Sequence, residues 1–164
     1  MNFVRKLAVS TALLASITSS QAAEVSFDLN GLIDSGALIG QTLSGSFSFD
    51  DATLTGTGTE WIDVSQLNVN FLGDTWTLTN QEAPTQAAYV DGTFLGLSYS
   101  ASNTNVAFSF IPGVSAVSEA FVAYDTPLGL SGSGSLIISP VPEASTWAMT
   151  LAGLLLLGFI RRRN

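Results

Sequence analysis

The sequence contains neither cysteine nor histidine, and it has few basic residues. All five Lys and Arg residues lie near the two ends of the chain, so residues 24–140 contain no basic side chain. Without Cys, His or Lys, this central region cannot form a Ser/His/Asp triad, a thiolate nucleophile, a Schiff base or a zinc site with histidine ligands. Disulfides are excluded too, so a hydrophobic core must hold the region together.

The central region is strongly acidic. It carries 12 of the 13 Asp and Glu residues, which gives it a formal side-chain charge of 12 negative. Such a surface repels phosphate and has no cations to replace the counterions of a nucleic acid, so nucleic-acid binding is excluded. An anionic polysaccharide would need bridging cations, whereas neutral glycans and calcium ions would not be repelled.

Residues 1–22 have the organisation of a secretory signal peptide. Arg5 and Lys6 form a short basic region, residues 7–17 are mostly apolar, and Ser20, Gln21 and Ala22 precede the expected cleavage point. The mature chain would then begin at residue 23 or 24, and the body would be exported. The alternative is an N-terminal helix that is retained.

Residues 141–164 have three ordered parts: a polar motif (141–147), an apolar run (148–160) and a basic end (161–164). The apolar run would rise about 20 Å as a helix, against a hydrocarbon core of about 30 Å, so it predicts a short transmembrane helix that anchors the chain transiently or permanently. A buried C-terminal helix is the alternative. The predicted anchor residues are Trp147, Leu151, Leu154, Leu155, Leu156, Leu157, Phe159 and Ile160. The basic end, Arg161, Arg162 and Arg163, would remain in the cytoplasm by the positive-inside bias, which leaves the body in the periplasm.

This terminal segment resembles the PEP-CTERM sorting signal of Gram-negative, exopolysaccharide-producing bacteria. Pro142 and Glu143 match the first two motif positions, and residues 145–147 match the common continuation. Ala144 departs from the pattern, because the family most often has a second proline there. The resemblance implies processing near Pro142 and Glu143 by an exosortase, a membrane-embedded cysteine enzyme, and delivery to the cell surface or the extracellular medium.

The body, residues 23–140, has the periodicity of β-strands. Apolar residues alternate with small or polar ones over residues 25–29, 43–49, 67–71 and 106–110. Further short strands are expected at residues 76–78, 94–99, 121–124 and 136–138. Asn30-Gly31, Gly73-Asp74, Asp91-Gly92 and Pro112-Gly113 are typical turn pairs. The pattern predicts an all-β fold, an antiparallel two-sheet sandwich of jelly-roll type, with a closed barrel as the alternative. The Gly/Ser run 131–135 indicates a flexible edge or linker, and residues 139–142 an extended exit.

Four carboxylates form one candidate binding group. Asp50, Asp51, Glu60 and Asp63 flank a Thr/Gly-rich stretch, and oxygen ligands gathered from a loop are what calcium binds. The spacing is not that of a known calcium loop, so a solvated hairpin loop is the favoured interpretation. Calcium is the one cofactor that the sequence suggests.

Two aromatic residues form a second candidate group. Trp61 and Tyr89 could stack on sugar rings, although aromatics at alternating strand positions more often belong to a core, as expected for Trp76 and Tyr99. Trp61 lies beside Glu60 in a polar neighbourhood and is the aromatic residue expected to be exposed.

Three functions remain open. The favoured one is a non-catalytic protein of the cell surface or extracellular matrix, associated with exopolysaccharide or biofilm, with an exosortase-like enzyme, a glycan and the membrane as partners. The second is a carbohydrate-binding module. The third is a secreted glycosidase, for which Glu60, Asp63, Glu82 and Glu119 are the candidate carboxylates.

Overall fold

The computed structural model describes residues 24–142. The predicted signal peptide, the motif residues Glu143 and Ala144, the transmembrane helix and the basic end all lie outside these residues. Within the described part of the chain, no helix is both long enough and apolar enough to cross a membrane.

Residues 24–142 form ten β-strands and two short 3₁₀ helices. The strands are β1 (Glu24–Ile33), β2 (Thr42–Asp50), β3 (Thr59–Asp63), β4 (Gln66–Phe71), β5 (Asp74–Thr77), β6 (Gln86–Val90), β7 (Thr93–Ser102), β8 (Ala107–Ile111), β9 (Phe121–Asp125) and β10 (Ser131–Pro140). The 3₁₀ helices are Leu78–Asn80, after β5, and Val117–Glu119, before β9.

The strands pair in the order β3-β6-β7-β8-β9-β10-β1-β2-β4-β5, and each pair is antiparallel. The all-β antiparallel class predicted from the sequence is therefore confirmed. The division into two separate sheets is not confirmed, because the pairing continues through all ten strands as one sheet.

The sheet curls into a half-barrel, so that strands distant in the pairing order face each other. Phe27 of β1 stacks on Phe94 of β7 with ring centroids 4.7 Å apart, although three strands separate β1 from β7 in the sheet. Trp76 of β5 meets Phe108 of β8 edge-on at 5.0 Å. One apolar face thereby closes on itself and forms a single core.

The alternating pattern explains which side chains enter that core. In β4 every second residue is buried, and the residues between them are exposed. Trp76 is 2% exposed and Tyr99 is 1% exposed, which confirms that both belong to the core. Burial of this face supplies the main free energy of folding, since the region has no disulfide.

Two segments differ from the sequence-based expectation. Asn30-Gly31 was expected to turn but lies inside β1. Glycine is needed at position 31 because a side chain there would collide with Leu43 and Leu136 on the neighbouring strands. The Gly/Ser run 131–135 was expected to be a flexible edge or linker but forms the first half of β10, which pairs with β9 over this run and with β1 from Gly134 onward. At Gly132, a side chain would collide with Tyr124 and the backbone at Ser35. Here glycine permits close packing of strands and does not make the chain flexible.

Candidate functional site

The sorting segment emerges directly from the middle of the sheet. The β1–β10 ladder extends to the Phe27–Pro140 pair, and the Val141 amide then donates a hydrogen bond to the Ser26 carbonyl at 2.8 Å. The expected extended exit is therefore part of the fold up to Val141. Pro142 follows at once, so no free spacer separates the sheet from the first motif residue.

Three of the four carboxylates proposed for calcium accept hydrogen bonds from nearby groups. Glu60 accepts hydrogen bonds from the Thr55 amide at 2.7 Å and the Gly56 amide at 2.8 Å, and these bonds hold the pKa of its carboxyl below the usual value. Asp50 accepts from the Ala52 amide at 2.9 Å, and Asp63 accepts from the Gln86 side chain at 2.8 Å. Within residues 24–142, no three acidic side chains are grouped closely enough to hold a metal ion. The structure thus does not bring these residues together as a ligand set, and the solvated loop is the better description.

The carboxylates considered for glycoside hydrolysis also accept hydrogen bonds from nearby residues. Glu119 accepts hydrogen bonds from the amides of Ser115 at 2.8 Å and Val114 at 3.0 Å, and its pKa is lowered by these and the Ser115 hydroxyl. Glu82 accepts a hydrogen bond from the Ser102 hydroxyl. A general acid needs a raised pKa. The pKa values of Glu60 and Glu119 are lowered instead.

The two candidate platform aromatics lie in different environments. Trp61 on β3 is 49% exposed, whereas Tyr89 on β6 is 8% exposed. The Tyr89 ring lies 6.2 Å from that of Phe49 and 5.3 Å from that of Phe94, and its burial raises the pKa of its hydroxyl. Tyr89 is therefore a core residue, and Trp61 alone of this pair offers a ring face to solvent.

An open groove of about 460 Å³ lies on the outer face of β1, β2, β4 and β5. Every lining residue is uncharged, and most carry hydroxyl or amide groups: Ser26, Ser46, Phe47, Ser48, Gln66, Leu67, Asn68, Thr77, Leu78 and Thr79. Strand pairing explains this composition. Ser46, Asn68 and Thr77 occupy paired positions on adjacent strands, as do Ser26, Ser48 and Gln66.

A second depression of about 480 Å³ adjoins the first, and Leu78 lines both. Its remaining lining comes from the β3–β4 turn and the segment before β6, and it includes the carboxylates Asp63 and Glu82. Both carboxylates accept hydrogen bonds from neighbouring side chains.

Sequence reasoning did not find the groove, although one signal was present. The alternation in residues 44–48 and 66–70 places serine, glutamine and asparagine on the face opposite the core. The register that makes β2 and β4 adjacent was not available from the sequence.

Comparison with known proteins identifies the terminal segment. Residues 140–164 match the family model described as the PEP-CTERM protein-sorting motif. The match begins at the last residue of β10 and confirms the resemblance drawn from the sequence. The motif indicates an exported protein that an exosortase-type system sorts to the cell surface. No curated protein and no solved structure matches the chain.

Proposed function

We propose that the protein is a non-catalytic component of the cell surface or extracellular matrix that associates with exopolysaccharide. The observation that carries the proposal is the sorting motif at residues 140–164, which directs the chain to the surface. The composition of the body supports it, because residues 24–140 contain no Cys, His or Lys and so lack most catalytic groups.

The proposed precursor is bound to the inner membrane. Residues 1–22 act as the signal peptide, residues 148–160 span the bilayer, and Arg161, Arg162 and Arg163 stay in the cytoplasm. The body, about residues 23–140, is then in the periplasm. An exosortase-type enzyme cuts near Glu143 and releases the body to the surface.

Intact-mass analysis and C-terminal sequencing test this route. Protein is isolated from the membrane, surface and medium fractions of its native host. We expect the surface and medium forms to end near residue 143 and the membrane form to retain Asn164. A surface form that retains the tail would contradict processing and indicate a membrane-anchored body.

A charge variant tests the membrane step separately. Replacement of Arg161, Arg162 and Arg163 by glutamine removes the predicted cytoplasmic anchor, so we expect reduced surface delivery. The matched control replaces Asp28, Asp34 and Asp125 by asparagine, three exposed charges on the body. Equal delivery of the two variants would contradict the proposed topology.

Association with exopolysaccharide is tested by co-fractionation. We expect the mature protein to sediment with polysaccharide from wild-type cells and to appear in the medium of a strain that makes none. The same distribution in both strains would overturn this part of the proposal.

A further inference from the structure

We infer that the uncharged groove on the outer face of β1, β2, β4 and β5 binds a neutral polysaccharide chain. This inference rests on the proposed association with exopolysaccharide and assigns the contact to a site. The groove lining and the charge of the surrounding body indicate the chemistry of the ligand.

Several polar groups in the groove are available to a ligand. The side chains of Ser46, Gln66 and Asn68 are exposed and make no hydrogen bond to another residue within 24–142. Each amide offers two N–H donors and one carbonyl acceptor, and the serine hydroxyl both donates and accepts. This mixture of donors and acceptors matches the hydroxyl groups of a sugar.

The spacing of these groups suits an extended ligand. Ser46 and Asn68 lie in one row across β2 and β4, and Gln66 lies in the neighbouring row. The hydroxyls of Ser48 and Thr77, which lie in the same two rows, are already bonded to Glu24 and Thr79. Residues two apart on a strand share a face, so the rows lie about 7 Å apart. Ser46, Asn68 and Gln66 thus offer polar contacts in both rows, which a ligand longer than one sugar unit can reach.

The groove also supplies apolar contact. Leu78, partly buried in the 3₁₀ helix that follows β5, forms part of its wall. Carbohydrate sites combine a few oriented polar groups with apolar surface, against which the C–H groups of the sugar ring pack. Leu78 also lines the second depression, so a chain longer than the groove has room to continue there.

Charge selects against anionic ligands. None of the lining residues is charged, but Asp28 occupies the position on β1 paired with Ser46, and Glu24 accepts a hydrogen bond from Ser48 at 2.6 Å. Residues 24–142 contain no basic side chain that could pair with a uronate or a phosphate. A polymer that carries such groups would be repelled, and a neutral polymer would not.

Affinity electrophoresis of the full-length protein in mild detergent tests the inference. The gels contain galactomannan, glucomannan, xyloglucan or dextran as neutral probes, or polygalacturonate as the anionic probe. We expect at least one neutral polysaccharide to retard the protein and polygalacturonate to have no effect. Retardation by none of the neutral probes, or by polygalacturonate in preference, would overturn the inference.

Two variants on one strand locate the site. Asn68 and Asn70 are both exposed on the outer face of β4, but only Asn68 lines the groove. We expect Asn68→Ala to weaken binding about tenfold, the loss that corresponds to one or two net hydrogen bonds. Gln66→Ala should act in the same direction, whereas Asn70→Ala should bind like the wild type.

Trp61→Ala distinguishes the groove from the exposed aromatic. A loss of binding with Trp61→Ala but not with Asn68→Ala or Gln66→Ala would place the glycan on the indole and overturn the groove assignment. Co-fractionation keeps the two proposals separate. If the Asn68→Ala protein still sediments with exopolysaccharide as the wild type does, the proposed function stands and the groove assignment fails.

Discussion

The hydroxyl of Tyr124 donates a hydrogen bond to the Ser35 carbonyl at 3.0 Å and accepts one from the Leu38 amide at 2.8 Å. Tyr124 lies on β9 and is 2% exposed, whereas Ser35 and Leu38 belong to the loop between β1 and β2. The buried side chain of Tyr124 thus connects the β1–β2 loop to β9, which lies two positions from β1 in the sheet. The bonds depend on a hydroxyl group, so they can be tested by a single-atom change.

Tyr124→Phe should destabilise the protein by about 1–3 kcal/mol, because the Ser35 carbonyl and the Leu38 amide lose their buried partner. Urea unfolding measures the change. Amide hydrogen exchange at Leu38 should become faster, while exchange in β4 should change little. Unaltered exchange at Leu38 would contradict the proposed role of the hydroxyl.

Two tryptophans provide a matched comparison of core and surface. Trp76→Ala should cost about 3–5 kcal/mol, because the ring is 2% exposed and packs against Phe108. Trp61→Ala removes a ring that is 49% exposed, so the expected loss is smaller, about 1–2 kcal/mol. Denaturant unfolding of both variants tests this difference. Similar losses would mean that the Trp61 indole packs more closely than its exposure indicates.

Glu119 should make stability depend on pH in the acid range. Backbone and side-chain hydrogen bonds from Ser115 lower the pKa of its carboxyl below the ordinary value of 4.5. The charged form is therefore favoured by folding, and its contribution is complete above about pH 4.5 and is lost as the pH falls through the lowered folded-state pKa.

Glu119→Gln tests this linkage against the wild type. We expect the variant to be less stable at pH 7, and the difference in unfolding free energy should narrow as the pH falls below 4.5. Asp28→Asn is the control for a lost surface charge, because this carboxylate makes no hydrogen bond to another residue of the described region. A difference for Glu119→Gln that stays constant from pH 7 to pH 3 would contradict the assignment.

Tyr99 should have the corresponding effect in the alkaline range. Burial raises the pKa of its hydroxyl to about 12, from an ordinary value of 10.0. The neutral form is favoured by folding, so its contribution is complete below pH 10.0 and is lost as the pH rises towards 12.

Tyr99→Phe removes this titrating group and also the hydrogen bond that its hydroxyl donates to the Thr77 carbonyl at 3.0 Å. We expect a smaller loss of stability between pH 10 and pH 12 than in the wild type. Tyr89, whose pKa is also raised by burial, accounts for part of the remaining slope. An unchanged alkaline slope in Tyr99→Phe would show that other groups control it.

The strands and turns that local periodicity determines were predicted correctly from the sequence where residues 43–49, 67–71 and 91–92 are concerned. The segments expected as strands at residues 43–49 and 67–71 lie within β2 and β4. Asp91-Gly92 forms the expected turn between β6 and β7. These features depend on neighbours along the chain. Alternating burial and the left-handed backbone conformation of Asp91 and Gly92 are set within a few residues.

Features that depend on distant residues were predicted poorly. Gly31 and Gly132 were assigned to a turn and a flexible segment, because the side chains that crowd them come from Leu43, Leu136 and Tyr124. Tyr89 could be assigned to the core only once Phe49 and Phe94 were placed beside it. The groove depends on the register of four strands, which no local pattern specifies.

The pairing of β10 with two neighbours determines how the body would carry load. If a form of the protein that retains the C-terminal tail is held by it while a polysaccharide is held on β1, β2 and β4, tension enters β10 at Pro140 and passes sideways through the β1–β10 ladder. Ladder hydrogen bonds lie across the strands, so a pull along β10 loads many of them at the same time and does not open them one after another. Such a tail-bearing form would resist extension in shear along the β1–β10 ladder.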